Sequence, residues 1–187
     1  MSLKRLTLAV AAAAAALLPL ASQAASSSTT GAGTLSTSAN VQFSVVIPRF
    51  IYLRVGDASS VNNLTYSPTV AEMVGSTAVQ ATGGDTGPSN SNLTVVVLGN
   101  AGNLTLAASN LTQLTSGGDN IPTSTLTASN PIGSITPPAF NGSTSLTAVA
   151  NIVNQVGTWR YTWANPASTV YPSGTYTGTA TYTLTSP

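Results

Sequence analysis

The chain has 187 residues, only five of them basic and four acidic, with a formal net charge of +1 and no Cys or His. It is long enough to fill the core of one domain. It cannot carry a disulfide framework, thiol or imidazole catalysis, or a Cys/His metal cluster, and it lacks the basic excess that binds nucleic acid or anionic membranes.

Lys4 and Arg5 precede an apolar run from Leu6 to Leu18, then Pro19 and the small-residue stretch "ASQA" ending at Ala24. This order predicts a secretory signal peptide over residues 1–24 and a secreted or cell-surface protein. The apolar run is shorter than the ~20 residues a spanning helix needs, and no later stretch is long and apolar enough to span as a helix. Without Lys4 and Arg5, three arginines stand against four acids, so the mature chain is near neutral.

Residues 25–40, "ASSSTTGAGTLSTSAN", are small and polar. They bury too little to order themselves, and are expected to be a flexible arm or a strand that orders only on a partner. A single β-sandwich domain is expected over residues 41–187. In "VQFSVVIPRFIYLRV" (41–55), Val41, Phe43, Val45 and Ile47 alternate with Gln42 and Ser44, which predicts a half-buried strand interrupted by Pro48. After Pro48, Ile51, Leu53 and Val55 oppose Phe50, Tyr52 and Arg54. Residues 70–81 are ambiguous, with a helical turn suggested at Glu72, Met73 and Val74. "GGDTGPSNSN" (83–92) reads as a loop, residues 93–109 as a hairpin turning at 99–102, and residues 146–156 as a strand or short helix. "TWRYTW" (158–163) and residues 175–185 read as strands. In the last of these, threonines form one face; Tyr176, Ala180, Tyr182 and Leu184 form the other, and Gly178 leaves room for a neighbour. Many short Thr/Val/Tyr-rich strands with Gly/Pro/Asn turns predict an all-β fold, an Ig-like or related sandwich.

Catalytic signals are weak. Asp57, Glu72, Asp85 and Asp119 share no motif and read as solvated turn carboxylates rather than a glycosidase pair; a calcium site built from Asp and backbone carbonyls stays open, without diagnostic spacing. No enzyme activity, cofactor or metal is expected. Trp159, Tyr161 and Trp163 alternate on one strand face, either as a platform for a sugar ring or, favoured here, as core or an intersubunit contact.

The ending "PSGTYTGTATYTLT" (172–185), with the signal peptide, the polar arm and "VQFSVVIP" (41–48), resembles Gram-negative fimbrial subunits of the archaic pilus and spore-coat-U-like group. Gram-positive WxL surface domains are a fainter likeness. The fimbrial resemblance implies an incomplete Ig-like sandwich completed by a neighbour's N-terminal strand. It also implies copies of itself or related subunits as partners, a periplasmic chaperone and an outer-membrane usher. The donor is either the arm over residues 25–40, which offers chiefly Ala32 and Leu35, or a segment further in with Val41, Phe43, Val45 and Ile47, in which case the domain proper starts after Pro48; Tyr182 and Leu184 are the assembly residues expected on the last strand. The expected function is therefore a non-enzymatic structural subunit of a surface fibre or coat. The alternative is a stand-alone secreted carbohydrate-binding module using the Trp159, Tyr161 and Trp163 platform on a glycan.

Overall fold

The computed structural model describes residues 26–85 and 91–187; the expected signal peptide lies outside them. The chain divides into two compact units, Met1–Ile47 and Pro48–Pro187. In the first, residues 26–47 form neither helix nor strand and their side chains are exposed. The strand expected over 41–47 is therefore not formed. Its alternation is suited to a sheet, but a strand's hydrogen bonds need a partner edge.

The regular structure of the second unit is almost wholly antiparallel strands. In chain order these are β1 (Ile51–Val55), β2 (Leu64–Thr65), the short helix α1 (Val70–Gly75), β3 (Val79–Gln80), β4 (Thr82–Gly83), β5 (Asn92–Gly99), β6 (Leu104–Ser109), β7 (Gln113–Ser116), β8 (Asp119–Pro122), β9 (Leu126–Gly133), β10 (Ser143–Leu146), β11 (Val153–Trp163) and β12 (Thr181–Thr185). The main sheet runs β1-β5-β11-β9, with β3 pairing the end of β11; a second sheet runs β10-β6-β12. Small ribbons β2-β4 and β7-β8 decorate them.

The two sheets close over one core. Leu93, Val95 and Val97 of β5 and Trp159 and Tyr161 of β11 meet Leu104 and Leu106 of β6, with Ile135, Leu146 and Val153 filling between. β5 alternates buried and half-buried residues along its whole length, the period-two pattern that drives one face into a core. Trp159 is fully buried, and its indole N–H donates to the Ile135 carbonyl at 2.7 Å, which satisfies the one polar atom of the largest core side chain.

Two expectations change, and the ambiguity at residues 70–81 resolves to the suggested helical turn. Residues 93–109 do turn at 99–102, but β5 and β6 do not pair: they join different sheets, because each carries its own apolar inner face. Residues 70–81 hold a real helix turn, set by a capping box in which Thr69 accepts from the Glu72 N–H while the Glu72 carboxylate accepts from the Thr69 N–H. The expected strand over 175–185 is shorter. Only Thr181–Thr185 pairs continuously, and Thr177 makes an isolated bridge to Thr115. A Cβ at Gly178 would lie 2.9 Å from a Leu114 methyl and 3.0 Å from the Gln113 carbonyl, so the room that glycine leaves is occupied.

Candidate functional site

Seven-stranded immunoglobulin-type sandwiches place strands A, B, E and D in one sheet and C, F and G in the other. Here β1, β5, β11 and β9 stand in the A-B-E-D order, and β6 and β12 occupy the C and F positions. β10 flanks β6. Beyond the outer edge of β12, where G would lie, no strand forms among the described residues. β1 passes close to β12 at that flank, and its own outer edge is also unpaired among the described residues.

The side chains at this flank are only partly covered. Along β12, Thr181, Thr183 and Thr185 are exposed while Tyr182 and Leu184 point inward yet remain half-buried. Opposite them on β1, Leu53 and Val55 are half-buried and Ile51 is exposed. Tyr182 is held firmly. Its ring lies 5.2 Å from the Trp159 ring, and its hydroxyl shares a 2.7 Å hydrogen bond with the Tyr161 hydroxyl. Tyr66 packs nearby; burial pushes the Tyr66, Tyr161 and Tyr182 hydroxyls up, so all three favour the neutral form. The Arg49 guanidinium fixes the end of the flank, donating to the Ala101 carbonyl at 3.3 Å and to the Pro187 carbonyl at 2.6 Å.

The sequence singled out Tyr182 and Leu184, and the structure places both on this flank. It missed Ile51, Leu53, Val55 and Tyr66. The alternation of Ile51, Leu53 and Val55 was readable, but which sheet edge they serve was not. Val41, Phe43, Val45 and Ile47 belong to the first unit, where Phe43 and Val45 are 88% and 86% exposed.

Trp159, Tyr161 and Trp163 do not form an open platform. All three are buried on the inner face of β11, where Tyr161 packs with Phe140 and Trp159 with Tyr182. A sugar ring has no access to their faces, which corrects the platform alternative; the aromatics are buried, in line with the favoured reading of them as core.

The acids are engaged locally. Asp57 accepts from the Ser59 N–H and hydroxyl, each at 2.8 Å, and those bonds hold its carboxyl below its usual range. Glu72 is lowered likewise by its bonds to Thr69. Asp85 accepts the Thr94 N–H with both oxygens at 3.0 and 2.9 Å. No group of acids able to hold a metal ion occurs among the described residues, and no helix among them is long and apolar enough to cross a membrane. No family model, curated protein or solved structure matches this chain.

Proposed function

We propose that this protein is a secreted structural subunit of a surface fibre or coat, and that its copies join by β-strand addition. One observation carries the reading: an A-B-E-D/C-F sandwich whose F-position strand has, among the described residues, an unpaired edge over half-buried Tyr182 and Leu184. An open edge over an apolar row is a template for another chain. An extended segment laid there pairs its backbone with β12 and places alternate side chains against the row in one step.

The segment best suited to that role is 41–47. Among the described residues it forms no helix or strand and is exposed, and in strand geometry Val41, Phe43, Val45 and Ile47 would share one face. The fimbrial resemblance of residues 172–185 supports the same reading and adds a chaperone, which would cover the edge before assembly, and an usher for export. The carbohydrate-module alternative loses support, since its proposed aromatics are buried.

The test is electron microscopy of the purified mature protein beside the Val45→Asp variant. Wild type should form polymers. The variant should stay as single folded domains, because donation would force an unpaired carboxylate into an apolar groove. A wild type that remains monomeric at high concentration sinks the proposal.

A further inference from the structure

The sandwich has two ends, and each exposes apolar side chains. At the first end lie the start of β1, the end of β5 and the β10–β11 turn. Ile51 pairs with Gly99, Gly99 with Val153, and the Gly102 N–H donates to the Asn151 carbonyl at 3.2 Å. Val149 and Ile152 exchange backbone hydrogen bonds of 2.9 and 3.0 Å across Ala150 and Asn151, both at positive φ. That tight turn leaves both side chains in solvent, Val149 at 80% exposure. They border a shallow hollow of about 310 Å³ shared with Thr147, Val153, Asn154 and Gln155. In its wall the Gln155 Oε1 is buried with no hydrogen-bond partner among the described residues.

The second end carries α1. Asn165, just past β11, donates its amide to the Met73 carbonyl at 2.9 Å and the Thr169 carbonyl at 2.7 Å, fixing the helix there. Val70 and Val74 stand one turn apart on one helix face. They are 80% and 79% exposed, and α1 buries no residue. A helix held so firmly, with its apolar pair facing water, is a knob without a socket.

We propose that the two ends meet between successive copies of this chain, with Val70 and Val74 of one copy seated in the Val149–Ile152 hollow of the next. The inference rests on the strand-addition reading, which fixes the direction. β12 runs from the second end at Thr181 to the first at Thr185, as its pairing with β6 shows. A strand added antiparallel to it, as G lies beside F, arrives with residue 47 at the acceptor's second end. In the donor, residue 47 is followed at once by Pro48, whose carbonyl accepts from the Asn100 amide at 2.9 Å, and Phe50, whose N–H is held by Asn100 Oδ1 at 2.8 Å. So the linker has no slack, and the donor's first end lies against the acceptor's second end. The contact is head-to-tail and joins two different surfaces, the heterologous kind that propagates as a fibre when its rotation does not close a ring.

The absence of cysteine permits a clean test. In the mature chain carrying both Val74→Cys and Val149→Cys, mild oxidation of polymers should give a disulfide-linked ladder, since bridging requires Cα atoms within about 7 Å. Each single variant should give no ladder. Val74→Asp, at a site outside the core, should still polymerise but into shorter fibres that dissociate at lower denaturant. Fibres seen by microscopy without a ladder, a dimer band alone from Val74→Cys, or Val74→Asp fibres identical to wild type would each overturn the end contact while leaving strand addition standing. Loss of all polymers in wild type would overturn both.

Discussion

Cutting Tyr182 back to Ala measures how far the last strand seals the core. A fully buried aromatic costs about 3–5 kcal/mol on truncation to Ala. Tyr182 is half-buried, so its share is nearer ~2 kcal/mol. The Trp159 ring 5.2 Å away adds about 0.5–1.5 kcal/mol for the aromatic pair. Loss of the 2.7 Å bond to the Tyr161 hydroxyl adds about 1 kcal/mol, because that hydroxyl sits deep in the core with its partner gone. The expected loss is about 4 kcal/mol for Tyr182→Ala and about 1 kcal/mol for Tyr182→Phe, which removes only the hydroxyl. Thr183→Ala, on the exposed face, should stay within about 0.5 kcal/mol. Urea melts of the mature chain in the assembly-deficient Val45→Asp background would read these values without interference from polymers. Equal losses for Tyr182→Ala and Thr183→Ala would show that the two faces of β12 are assigned the wrong way round.

Gly178→Val should destabilise by about 1–3 kcal/mol in the same melts, since the added atoms meet Leu111, Leu114 and the Gln113 carbonyl; an unchanged midpoint would refute that packing. The Glu72 carboxyl is held below its ordinary value by Thr69, so the capping box stabilises fully above about pH 4.5 and is lost as pH falls through the lower folded value. Melting-temperature differences between wild type and Glu72→Gln should therefore be largest near neutrality and vanish in acid. The buried tyrosines act in the opposite direction: stability should fall as pH rises past about 10, where unfolded tyrosine ionises and Tyr161 in the core does not. Alkaline melts of Tyr161→Phe should show a shallower decline.

Much of the fold was legible in the period of two. The threonine face of 181–185 is wet and Tyr182 and Leu184 face inward, as the alternation required. "TWRYTW" is the end of the longest strand, and its aromatic face is the core face. Alternation says which face is buried, but not which strand lies alongside. For that reason residues 93–109 read as a paired hairpin when the two strands instead face each other across the core. The same limit applies to 41–47, whose pattern is that of a strand although no strand forms there. α1 had a readable signal, Thr69 followed three residues later by Glu72, a capping box ahead of Val70 and Val74. The ends of the sandwich were not legible, because they are assembled from turns far apart in the chain.

Hydrogen exchange at β12 tests the central claim most directly. Strand addition gives the amides of 181–185 that point away from β6 a partner they lack in the single chain. In polymers of the mature protein those amides should exchange far more slowly than in the Val45→Asp monomer, while amides already bonded to β6 change little. Polymers in which the outward amides of β12 exchange as fast as in the monomer would mean that copies join elsewhere, and that the open edge is not where this protein assembles.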